Sequence, residues 1–263
     1  MVRLKVFAKG NLDVRDTLHS LRAGSEIKWN GINEIVRARF PATVVQVVHE
    51  TWTRSDALLA ATGVIPAELV ERALPLGAFP LPAQFSRKLF ASDADAIVLS
   101  VQPDISVTMA RHKRDGYLFH PADVSSWPEP DRAWLREAFA FEGPIDVAAS
   151  MRNFDAIVAR IRESTAAPIL VYNVSSVVPG DTVHSHLGLG DTLTTRIRRF
   201  NLGIAELSQR SGVSVIDVDA VVARMGADAA KLDALHLNAA ACRGVAEEVV
   251  RVLDDLGVFS GRE

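Results

Sequence analysis

Residues 233–253 read DALHLNAAACRGVAEEVVRVL, and the rest of the chain is best read outward from them. Asn238 is a helix-opening residue, because its side chain can accept from an amide left free in a first turn. Beyond it Cys242, Val245, Val249 and Val252 recur at spacings of three and four, which predicts an amphipathic helix over 239–256. Just before that helix, Asp233 and His236 stand three residues apart. A carboxylate so placed can fix the tautomer of an imidazole and leave the other ring nitrogen free to take a proton. Alone, the same spacing also fits a loop-ending Asp and a partly buried filler histidine, so context has to decide.

Upstream, short β-branched runs alternate with longer amphipathic ones. Residues 4–8, 43–48, 96–101, 168–174 and 213–218 read as strands, and their near-continuous hydrophobicity predicts burial on both faces. Helices are expected over 54–61, 67–73, 148–163 and 192–210, the last from Leu193, Ile197, Phe200, Ile204 and Leu207. A further helix is expected over 14–21. Such alternation predicts an α/β fold: a parallel sheet with right-handed crossovers, helices on both faces and a site at the carboxyl ends of the strands. That rule brings together residues 10–13, 51–54, 100–104, 173–176 and 233–236.

With 263 residues, 48% hydrophobic and 23% charged, the chain reads as one domain over 1–263. A net charge of -3 argues against nucleic acid as a partner. The lone Cys242 lies in the last helical pattern, has no disulfide mate and is expected in the core. No signal-peptide pattern opens the sequence and no run of about 18 apolar residues interrupts it, so no membrane partner and a cytoplasmic location are expected. His184 and His186, spaced i, i+2 with no carboxylate at ligand spacing, make a weak metal signal, so no metal or cofactor is expected. Segments 74–92 and 111–145 exceed plain connections and read as lids or insertions. There Tyr117, Phe119, His120 and Trp127 are candidates to wall a pocket, and His112, Lys113 and Arg114 to meet an acidic group. A partner surface, including a homo-oligomer contact, is the competing reading. Arg196, Arg198 and Arg199 read as a solvated helix face.

DALHLNAAACRGVAEEVVRVL resembles the closing block of the SGNH (GDSL-type) hydrolases, where Asp and His of a catalytic triad share one short loop. RRFNLGIAELSQRSGVSVIDVDAVV (198–222) is similar to the helix and strand that precede it, RLKVFAKGNLD (3–13) to the first strand and its Gly-Asp-Ser turn, and DADAIVLSVQPD (93–104) to the third-strand block. The resemblance implies a flavodoxin-like three-layer α/β/α sandwich around a parallel sheet of about five strands. It also makes His236 the general base and Asp233 its orienter. Three family positions differ. Gly10-Asn11-Leu12 stands for Gly-Asp-Ser, so an aliphatic side chain takes the nucleophile's place. The second block has Thr53 and Arg54 and no glycine, and the third has Gln102 and Pro103 where an oxyanion-holding Asn is usual. Asp13, next to the lost serine, is a candidate carboxylate nucleophile whose competing role is a helix N-cap. Ser100 and Ser176 are candidate replacement hydroxyls. Gly10, Asn11, Leu12, Thr53, Arg54, Ser100, Gln102, Asn173 and Ser176 are the expected substrate-side residues. The functional expectation is an SGNH-like hydrolase of an acyl, ester or related group on a small-molecule substrate, with a non-standard nucleophile. The alternatives are an acyltransferase or an inactive binding or assembly protein on the same fold.

Overall fold

The computed structural model describes residues 1–178 and 190–260. Its centre is a five-stranded parallel sheet of β1 (Val2–Lys9), β2 (Thr43–Glu50), β3 (Ala96–Ser100), β4 (Ile169–Tyr172) and β5 (Ser214–Ile216), in the spatial order 5-4-3-1-2. Read from the other edge this is the flavodoxin-like 2-1-3-4-5 order, with its switch point between β1 and β3. The period-two alternation of strand side chains sends residues to two separate cores. Leu4, Val6, Ala8, Val98, Leu170 and Tyr172 face one side and pack with Val245 and Val249 of the helix Ala239–Asp255. Phe7, Ile97, Leu99 and Val171 face the other and pack with Ile157, Ile197 and Phe200 of the helices Val147–Arg162 and Leu193–Ser211. Each buried Val, Leu, Ile or Phe among them contributes about 1.5–3 kcal/mol, against less than about 1 for an exposed ion pair, so these two interiors hold the sheet.

Local signals set the helix ends. Asn238 accepts from Ala241 N at 3.0 Å, Thr192 from Thr195 N at 3.1 Å and Asp217 from Ala220 N at 3.0 Å. Asp217 also explains why β5 stops short of the expected 218: its cap begins the helix Val218–Met225 there. Cys242 is in the core, as expected, and burial pushes its thiol up to about 12. The helix expected over 14–21 runs instead over Leu12–Leu18. The Trp29 indole donates to Thr17 O at 3.2 Å near its end, and the chain turns into a small hairpin, Leu21–Ala23 with Glu26–Trp29. Among the described residues no helix is long and apolar enough to cross a membrane.

The two long segments form a second unit of packing. Met109–His112, Leu118–Phe119 and Phe139–Glu142 make an antiparallel sheet, and its aromatics join Leu69, Leu76 and Phe85 in a core of their own. Phe119, Trp127 and His112 are therefore buried packing residues, not the pocket wall or anion contact considered from the sequence. Tyr117 donates to Glu68 at 2.6 Å, Lys113 donates to main-chain oxygens of 136 and 137, and Arg114 pairs with Asp115 at 2.8 Å. Arg196, expected on a solvated face, is also buried, donating to the carbonyls of Ile105, at 2.6 Å, and Asp104, at 3.2 Å.

Candidate active site

The carboxyl ends of β1, β3 and β4 meet the loop before the last helix. After β1 the chain turns at Gly10, where a Cβ would come within 2.5 Å of Val14 and 3.2 Å of Ser100, so only glycine lets the turn pass this close to β3. Asn11 follows, with its Oδ1 buried and unpartnered among the described residues, and half-buried Leu12 opens the first helix. Asp13 is in the first turn of that helix and is not its N-cap. One of its oxygens accepts from Asn11 N at 3.1 Å and the other from the Ser100 hydroxyl. Desolvation holds this carboxyl above the usual carboxylate range, against the pull of those hydrogen bonds. Ser100, fully buried, accepts in turn from Gln102 N at 3.0 Å.

Asp233 and His236 form the pair that their spacing suggested. Asp233 accepts from the amides of Leu235 and His236, both at 2.9 Å, and from His236 Nδ1 at 2.6 Å. Desolvation is the largest single influence and opposes these contacts, but the two amides and the imidazole together outweigh it and bring its carboxyl down to about 2. A carboxylate only accepts, so Nδ1 carries the proton and Nε2 is the basic nitrogen. Among the described residues nothing bonds to Nε2, and the His236 side chain is 41% exposed. Gln102 Nε2 reaches Leu235 O at 3.4 Å, tying the end of β3 to this loop.

Between the two groups lies a cavity of about 20 Å³ lined by Asp13, Gln102, Asn173, Ser175, Lys231 and Leu235 among others, which is room for about one water. Neither Leu12 nor His236 lines it. Asn173 is fastened by Asp217 at 2.8 Å and by the Asp219 amide at 3.1 Å, and Ser176 spends both its amide and its hydroxyl on Asp219. Ser175 Oγ is buried and has no partner among the described residues. Lys231, which no sequence signal marked, donates to Val177 O, and burial holds its amine below the usual lysine value.

Two expected substrate residues are elsewhere. Arg54 is 2% exposed and its guanidinium is committed to Asp56 at 2.7 Å, Glu142 at 3.1 Å and Gly143 O at 2.6 Å. It clamps the insertion to the end of β2 and has no donor left for a substrate. Thr53 is buried beside it, and Trp52 packs on Phe154. Among the described residues the one group of side chains with metal-ligand spacing is Glu68, His112 and Asp115 in the insertion. There His112 Nδ1 accepts from Asp115 N at 3.1 Å and Glu68 accepts from Tyr117, so these atoms already have partners. His184 and His186 lie outside the described residues.

No family model matches the sequence, and no curated protein matches it. Solved structures do match. A member of the lipolytic protein G-D-S-L family from Veillonella parvula aligns over 95% of this chain and 98% of its own, at 10% identity and a TM-score of 0.52. An acetylxylan esterase from Geobacillus stearothermophilus aligns over 94% and 93%, at 11% identity and a TM-score of 0.55. The fold is that of the SGNH hydrolases. An α/β hydrolase from the metagenome of Lake Arreo shares it over 99% of both chains, at 12% identity and a TM-score of 0.55. On the SGNH fold, Leu12 follows the Gly10 turn where the resemblance places the serine, and the Asp233–His236 pair sits on the loop before the last helix.

Proposed function

We propose that the protein is a hydrolase of the SGNH fold that acts on an acyl, ester or related group of a small molecule, with His236 as general base, Asp233 as its orienter and water as nucleophile. The observation that carries this reading is the 2.6 Å contact between Asp233 and His236 Nδ1, with Nε2 unengaged among the described residues. In the first step Nε2 takes a proton from water as the water oxygen attacks the acyl carbon. Asp233, ionised at neutral pH with its carboxyl at about 2, stabilises the imidazolium so formed. The imidazolium then returns the proton to the departing oxygen as its bond to the acyl carbon breaks, leaving acid and alcohol. Asp13 is a poorer nucleophile than water here, because both its oxygens accept hydrogen bonds and desolvation favours its neutral form. An acceptor alcohol in place of water would turn the same chemistry into acyl transfer.

One observation favours a second reading, a non-catalytic binding protein: Asp13, Ser100 and Gln102 satisfy one another around a space of about 20 Å³ instead of facing an open cleft. Turnover of nitrophenyl acetate, measured with and without a serine-directed fluorophosphonate, tests both. Hydrolysis that survives the probe, with no serine labelled, is the expected result. Stoichiometric labelling of Ser100 or Ser176 would replace water with a displaced serine, and no turnover of any acyl ester would favour the binding protein.

A further inference from the structure

Beside the Gly10 turn, the helix Leu12–Leu18, the strand Leu21–Ala23 and the last residues of β2 enclose a groove of about 450 Å³. Arg15, Asp16, His19, Arg22 and His49 are its charged and titratable walls. In a chain of net charge -3, two guanidinium groups and two imidazoles meet a single carboxylate here. That carboxylate is spoken for: Asp16 accepts from Arg15 at 2.8 Å. The exposed Arg22 guanidinium has no partner among the described residues. The buried Lys9, whose charge acts on His49, is paired with Glu50 at 3.0 Å.

The two imidazoles are arranged to receive a negative group. His49 Nε2 is 2.9 Å from Gly10 O. A carbonyl only accepts, so Nε2 carries the proton and Nδ1 is left over. The His19 ring stands edge-on to His49, with centroids 6.0 Å apart, and has no hydrogen-bond partner among the described residues. Burial holds both rings below the ordinary histidine value, helped at His19 by the Arg15 charge and at His49 by the His19 and Arg15 charges, against the pull of the Gly10 hydrogen bond. An anion between them would reverse that balance, protonating the rings and gaining charge-assisted hydrogen bonds from imidazole and guanidinium together.

We propose that this groove is a subsite for a phosphate group carried by the substrate, adjoining the Gly10 turn at the edge of the candidate active site. It rests on the hydrolase reading for what happens at that turn, but not for the binding itself. His49 joins the two places, since the ring that faces the groove also holds the Gly10 carbonyl. The volume exceeds what one phosphate fills, leaving room for the group that bears it.

Inorganic phosphate titrated into the full chain at pH 7 tests the subsite by calorimetry in two buffers of different ionisation enthalpy. The expected result is one saturable site with net proton uptake, not reproduced by chloride at equal ionic strength. Arg22→Gln and His49→Gln should each weaken binding by about tenfold or more, and Arg22→Gln, at an exposed position, should do so with the melting temperature unchanged. Absence of saturable binding, or equal affinity in the wild type and both variants, would overturn the subsite. Phosphate binding without turnover of any acyl ester would keep the subsite and remove the hydrolase reading. Turnover of nitrophenyl acetate without phosphate binding would do the reverse.

Discussion

The loop at Asp233–His236 and the strand end at Ser100–Asp104 border the same small cavity, yet they treat their polar groups in opposite ways. On the loop, the Asp233 carboxylate lies low, at about 2, in a half-open setting and leaves the other His236 ring nitrogen unengaged among the described residues. At the strand end, Asp13, Ser100 and Asp104 are desolvated and bonded to one another or to buried serines, and their carboxyls are pushed up. A group whose hydrogen bonds are all made inside the protein serves the fold. A group with an unspent lone pair facing outward is free for chemistry. Under the proposed mechanism, the strand end serves stability and the loop serves proton transfer.

Ser100→Ala should have the largest effect on folding. It orphans one Asp13 oxygen and the Gln102 amide at a fully buried site, at a cost of about 1–3 kcal/mol in urea-unfolding free energy. A change below about 0.5 kcal/mol would mean that the strand end is as open as the loop.

Asp104 sharpens the contrast through pH. It accepts from the Ser150 hydroxyl at 2.6 Å and the Ser55 amide at 2.7 Å, but burial outweighs these bonds and raises its carboxyl to about 6. The folded chain then holds an extra proton between roughly pH 4 and 6, so this residue makes stability fall as pH rises through that window, by at most about 1.4 kcal/mol per unit. Asp233, shifted the other way, contributes stability above about pH 4 that is lost as pH falls towards 2, and its exposure keeps that contribution small. Unfolding free energies at pH 4, 5 and 6 should show a weaker decline for Asp104→Asn than for the wild type. Identical slopes would show that Asp104 is not the group responsible.

The smallest expected effect is a gain. Leu12→Ser puts a hydroxyl where the resemblance places the nucleophile and should add a slight hydrolysis of nitrophenyl acetate above the wild-type rate. The gain stays slight because the second-block glycine and third-block asparagine are missing, and one oxyanion donor is typically worth about 2.7–4 kcal/mol of barrier. Adding His236→Ala should remove it. Equal rates with and without His236 would show that residue 12 does not face the imidazole.

What the sequence made legible follows from the range of the interactions involved. Strands such as Ala96–Ser100, buried throughout, announce themselves by unbroken hydrophobicity, and Leu193–Ser211 by its threonine cap and apolar spacing. The Asp233–His236 pair is local and was readable for the same reason. Arg54 was misplaced because its partner Glu142 lies 88 residues away, and no local pattern reports such a pairing. The insertion aromatics looked like a pocket wall because Leu69, Leu76 and Phe85, which bury them, come from a different segment. Lys231 was missed because an isolated lysine carries no signal until the 173–177 loop folds beneath it.

The most direct test of the central claim compares His236→Ala with the wild type, measuring kcat/KM for nitrophenyl acetate and the unfolding free energy on the same preparations. A positioned general base contributes roughly 10²–10⁴-fold, so the variant should lose at least about a hundredfold in kcat/KM, with stability changed by less than about 0.5 kcal/mol. Undiminished turnover, or a loss of activity that merely tracks a folding defect above about 2 kcal/mol, would contradict the assignment of His236 as the base.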